Sequence, residues 1–153
     1  MMVDRTLEYE LNQLIRLMHD SVEGYAKAAE LTQSEEYRAL FTRLGKHREQ
    51  FVEELSSLEN VVGGEPVEEG NLGAALYRTL KELNVSVVSD KDKVILNAVR
   101  DVLGATIKHY ETLLANQLTV PAGIVRNTIE KQHRALQETQ TEINSLIDRH
   151  GSG

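Results

Sequence analysis

The chain has no cysteine and no tryptophan, only two prolines, and seven Tyr and Phe among its 153 residues. Without cysteine there is no disulfide, no thiolate metal site and no Cys nucleophile, although the compartment is left open. So few aromatics and prolines suit packed helices better than a β-sandwich. No apolar run approaches the roughly 20 residues that span a bilayer, and the N-terminal Met-Met-Val-Asp-Arg lacks the apolar core of a signal peptide. Positive charge is also short: the formal net charge is −7, with no basic stripe, which argues against a nucleic-acid surface. The expectation is one soluble, cytoplasmic, all-α domain over residues 1–150, with no nucleic-acid or membrane partner. Gly151-Ser152-Gly153 is set aside as a tail.

What is present is one apolar pattern written twice. Adding 85 maps Leu11 to Leu96, Leu14 to Val99, Met18 to Leu103, Val22 to Ile107 and Tyr25 to Tyr110. The same offset maps Leu40 to Val125, Leu44 to Ile129, Phe51 to Leu136, Leu58 to Ile143 and Val62 to Ile147. Steps of three and four residues are the helical period. The spacing predicts helices over about 4–31, 35–60, 90–117 and 122–149. Ser34 and Asp90 are N-cap candidates, Gly63-Gly64-Glu65-Pro66 is a stop, and Pro121 suits a first helical position. Two antiparallel helical hairpins in matched register make a four-helix bundle.

Residues 61–89 have no counterpart in the repeat. Leu72, Leu76, Leu80, Leu83 and Val87 form one stripe on a predicted helix over about 72–88, long enough to carry the chain back along the bundle as a crossover. Five such side chains cannot stay in water, since each forgoes roughly 1.5–3 kcal/mol. They must dock on the bundle or on a second copy, and a homodimer or larger homo-oligomer is the expectation.

Polar interruptions of the stripes mark the candidate site. Ser21 and its repeat mate Thr106, His47 and Arg48, and Gln132 and His133 fall at one height midway along the bundle, with Tyr25 and Tyr110 about a turn away. That midplane is where carboxylate-bridged di-metal centres are built, from one Glu on each of two helices and Glu-x-x-His on each of the other two. Glu130-Lys131-Gln132-His133 supplies one such motif, but the mates of Glu130 and His133 are Gly45 and Arg48. Glu130 also sits about 120° from the apolar line, toward water. Two readings stay open: a structural layer of Ser21, Tyr25, Arg48, Thr106, Tyr110 and Gln132, or a single iron, manganese or zinc ion held by His47, His133 and Glu130. No cofactor is otherwise called for. His19 and His109 lie off the apolar lines, and His150 is placed at a fraying end.

Glu23-Gly24-Tyr25 with Ala28-Ala29-Glu30, Phe41-x-x-Leu44, Phe51-x-x-Glu54-Leu55, Gly63-Gly64-Glu65-Pro66, the 72–80 segment, Tyr110-Glu111 and Gln132-His133 carry a resemblance over residues 7–148. Taken together, the chain resembles a small, functionally uncharacterised bacterial family of ferritin-like four-helix bundles. The resemblance implies a cytoplasmic, stress-associated bundle with no assigned reaction. Related sequences tend to carry an acidic pair one to two turns before the position of Tyr110, in the helix predicted over 90–117, where this chain has Leu103-Gly104. The paired Glu-x-x-His of iron-storing relatives is missing from the helix predicted over 35–60. The expected function is therefore a non-enzymatic structural or interaction module. Its alternative is a degenerate metal-binding protein with a redox or oxygen-scavenging role.

Overall fold

The computed structural model describes residues 5–68, 70, 75–83 and 89–152. Among the described residues there are five helices and no strand: α1 (Arg5–Leu31), α2 (Glu35–Val61), α3 (Ala75–Leu83), α4 (Lys91–Leu114) and α5 (Ile124–Ser152). No helix among them is long and apolar enough to cross a membrane.

Local chemistry explains the boundaries. Ser34 caps α2, its Oγ accepting from the Tyr37 N–H at 3.2 Å, with Glu35 and Glu36 in the favourable first turn. Asp90 caps α4 in the same way through the Lys93 N–H at 3.1 Å. Past Val61, Gly63 takes φ 84°, and the Gly64 N–H returns to the Glu59 carbonyl at 2.9 Å, closing α2. At two other ends arginine does the closing. Arg38 donates to the Ala29 and Thr32 carbonyls at the end of α1, and Arg126 donates to those of Leu114 and Val120 after α4.

Three boundaries differ from expectation. α4 stops at Leu114 instead of 117, because Asn116 Oδ1 takes the Leu118 and Thr119 N–H groups into a turn. Pro121 consequently lies in that turn, and α5 starts three residues later, at Ile124. α5 also continues through Gly151 and Ser152 instead of ending before them.

The long helices pack in a closed cycle, α1 on α2, α2 on α5, α5 on α4 and α4 on α1, with the closest packing inside each hairpin. The duplicated pattern is the core. Leu11 and Leu96, Leu14 and Val99, Met18 and Leu103, Tyr25 and Tyr110, Leu44 and Ile129, Phe51 and Leu136, and Leu58 and Ile143 are buried in both copies.

The crossover climbs α1. The Val67 N–H donates to Asn12 Oδ1, and Leu76 sits so close to Gly24 that an added Cβ would lie 2.4 Å from its Cδ2. At the far end, Thr32 Oγ1 donates to Asp92 Oδ1 at 2.6 Å, placing the start of α4 beside the start of α2. α3 packs on α1 and α4, and Leu76, Leu80 and Leu83 are buried there. The described part of the stripe is thus covered by its own chain and needs no second subunit. Leu72 and Val87 lie outside the described residues.

Candidate functional site

Helix periodicity turns one or two polar side chains of each long helix inward, and there the apolar packing gives way to hydrogen-bonding groups. Tyr110 of α4 is fully buried, and its hydroxyl donates to Gln132 Oε1 of α5 at 2.7 Å. Gln132, equally buried, donates from Nε2 to Glu54 Oε1 of α2 at 3.1 Å. Lys131 Nζ meets the other oxygen of Glu54 at 3.2 Å. Burial holds the Tyr110 hydroxyl far above the ordinary tyrosine range, the Arg48 charge opposing the shift and Glu54 reinforcing it.

Arg48 forms the second half of the layer. It is 1% exposed, and its Nη2 donates to Thr139 Oγ1 at 2.9 Å. Its guanidinium carbon lies 5.0 Å from the Phe51 ring centroid and 5.9 Å from that of Tyr25, within cation–π range. Tyr25 stacks on Phe41 at 6.3 Å. Burial raises the Tyr25 hydroxyl, and the neighbouring Arg48 charge and hydrogen bond work against that. Arginine does not lose its proton in a protein, so this is a permanent cation inside the core.

Glu54 and Thr139 were not among the expected layer residues, although they are repeat mates 85 apart. Tyr110–Gln132–Glu54 in one half answers Tyr25–Arg48–Thr139 in the other, with Arg48 acting where the mate of Gln132 is His47. Ser21 and Thr106 do not join the network. Their hydroxyls donate to the Leu17 and Val102 carbonyls of their own helices, at 2.9 and 3.0 Å.

The three residues expected to share a metal are each engaged separately. His47 is exposed on the rim of a groove of about 920 Å³ between α2 and α5, beside the Arg43–Glu142 ion pair. The His133 ring Nε2 lies 3.2 Å from Glu111 Oε2 on α4. Glu130 pairs with Arg126, one turn before it on α5. Among the described residues no group of three or more His, Cys, Asp or Glu is disposed to hold a metal ion. His150, expected to fray, instead ties three helix ends together. It lies 3.1 Å from the Tyr37 hydroxyl and 2.9 Å from an Asp90 carboxylate oxygen. Asp90 is held below the ordinary carboxylate range, first by the Lys93 N–H and then by His150.

The layer contains no nucleophile beside a base and no phosphate cradle. It joins α1, α2, α4 and α5 through directional bonds, which fixes their register. Residues 7–116, from the first turns of α1 to the end of α4, match the family described as Domain of unknown function (DUF2383). No curated protein and no solved structure matches the chain significantly.

Proposed function

The chain belongs to this family of unknown function, and from that premise we propose a ferritin-like four-helix bundle without metal chemistry, acting as a non-enzymatic structural or interaction module in the cytoplasm. The observation that carries the reading is Arg48. Its guanidinium lies in the central layer, where a ferritin-like di-metal centre would need carboxylates. At about 5 Å and an effective dielectric near 20, a dication would be repelled by on the order of 6 kcal/mol. The one carboxylate bonded into the layer, Glu54, is already engaged by Lys131 and Gln132.

An interaction role has its own support. The exposed large apolar side chains Tyr9, Val61, Leu118 and Ile124 belong to the start of α1, the end of α2, the α4–α5 turn and the start of α5. By the helix directions these all lie at one end of the molecule. Self-association, the expected homodimer included, would use this end, since the crossover helix is already covered. Sedimentation equilibrium of the protein and of a Leu118→Glu, Ile124→Glu variant tests this. A dimer that the double substitution leaves intact would move the interface elsewhere.

Protein purified without chelators should carry less than about a tenth of an equivalent of iron, manganese or zinc. Iron loading with oxygen uptake above a buffer control would overturn the reading. The degenerate metal-binding alternative draws on the His133–Glu111 pair. Stoichiometric metal lost on His133→Ala would establish it.

A further inference from the structure

Arg48 is a buried charge whose partners are all neutral: the Thr139 and Tyr25 hydroxyls and the faces of the Tyr25 and Phe51 rings. Thr139 gives its own proton to the Ala135 carbonyl at 3.1 Å, so it meets Arg48 only as an acceptor. Among the described residues no carboxylate lies within ion-pair distance of the guanidinium. Glu54, the carboxylate of the layer, is taken by Gln132 and Lys131. Arginine has five N–H donors, and bonds to two hydroxyls leave donors over. Buried charges are ordinarily paired, because an uncompensated one forfeits its hydration.

The same side chain lines the groove of about 920 Å³ between α2 and α5, which pack less closely than the two helices within each hairpin. The volume is that of small-molecule sites. Its buried lining residues, Leu40, Arg48, Thr139 and Leu146, make a floor that is half apolar. Of the other charges along it, Arg43 is held by Glu142 and Arg149 by Glu36, both in water. Glu138 stands exposed on the rim. What the floor offers is one uncompensated guanidinium. A carboxylate matches it, since two oxygens meet two N–H groups of a planar fork. A phosphate dianion would call for a second cation, and the two at the rim already have acids. An ammonium ion would be repelled.

We propose that the α2–α5 groove binds a small organic carboxylate, its head on the Arg48 guanidinium and its apolar body against Leu40 and Leu146. The bound anion supplies the counter-charge that the chain itself withholds. This site shares Arg48 with the metal-free reading without resting on it: metal content tests that reading, carboxylate binding tests this one, and either can fail alone.

The test is titration of the full chain with hexanoate, hexanol, hexylammonium and inorganic phosphate, followed by calorimetry and by backbone amide shifts. Hexanoate should bind saturably, with shifts centred on residues 39–48 and 135–146. Hexanol should bind about tenfold more weakly, and hexylammonium and phosphate should not bind. Arg48→Met, its fold checked by circular dichroism, should abolish hexanoate binding. Arg48→Lys, which keeps the charge and loses the fork, should weaken it about tenfold. Glu138→Gln, an exposed change that spares the fold, should tighten it about twofold at low salt. That arm and the amide shifts decide the matter if the Arg48 variants do not fold. Four results would each overturn the proposal: no saturable hexanoate binding up to about 10 mM, hexanol or phosphate binding as well as hexanoate, amide shifts confined to another part of the molecule, or a folded Arg48→Met that binds hexanoate unchanged.

Discussion

Replacing Glu59 by Gln should stabilise the protein at pH 8 and do little at pH 4.5. Glu59 is fully buried, and neither carboxyl oxygen has a hydrogen-bond partner. It sits in the last turn of α2, where the unpaired carbonyls already make the field negative. Gly64 folds directly over it. A Cβ there would lie 2.2 Å from Glu59 Oε1 and 2.9 Å from Glu8 Cδ, so the two acidic groups approach within about 5 Å. Burial first, and Glu8 second, push the Glu59 carboxyl up to about 7 from 4.5. A folded value above the unfolded one means that the native state holds the proton longer. Below about pH 4.5 both states are protonated and there is no penalty. Between about 4.5 and 7 the unfolded chain ionises first, and stability falls by up to about 1.4 kcal/mol per pH unit. Above 7 the loss is complete, with a ceiling of about 3 kcal/mol. Gln keeps the shape without ionising, so about 1–3 kcal/mol should be recovered at pH 8. For a domain of this size that is roughly 2–10 °C in melting temperature. Urea unfolding of both proteins at pH 4.5, 6 and 8 measures it. A difference independent of pH, or a Gln variant less stable at pH 8, would refute the reasoning.

Gly24→Ala should cost about 1–3 kcal/mol by denaturant unfolding, because the new Cβ collides with Leu76, and combining it with Leu76→Ala should cost less than the two changes added. Thr139→Val removes a hydrogen-bond acceptor from the buried Arg48 and should cost about 1–3 kcal/mol. Arg48→Met removes the buried charge itself and should cost less than Thr139→Val, or stabilise, in the same assay. Asp90→Ala removes the α4 cap and should lower stability by about 1 kcal/mol, while His150 loses a contact that ties it to the start of α4.

Helix positions and the inward faces were legible because periodicity, caps and stops are local. Ser34, Asp90 and Gly63 act on backbone groups within four residues, and each behaves as its residue type predicts. The duplication was equally plain, since most of the paired apolar positions are buried in both copies. Even Glu54 and Thr139 carried a signal there, as mates opposite a polar layer already in view. Tertiary packing alone decided the rest. Arg48 was expected in the polar layer but without its partner, and Glu59 lies one helical turn after Leu55, on the apolar stripe, although its charge suggests solvent. Arg48 is retained inside by Thr139, 91 residues away, and Glu59 is enclosed by the fold-back of Gly64 onto Glu8. His150 looked free to fray until Tyr37 and Asp90, 113 and 60 residues distant, came to meet it. His47 and His133 share a height in the repeat, but one faces the α2–α5 groove and the other Glu111 of α4. The crossover stripe announced that it must be buried, and only the spacing between α1 and α4 determined that their own chain would cover Leu76, Leu80 and Leu83. A side chain's helical phase follows from its neighbours in sequence, whereas its partner is set by how distant helices rotate and separate.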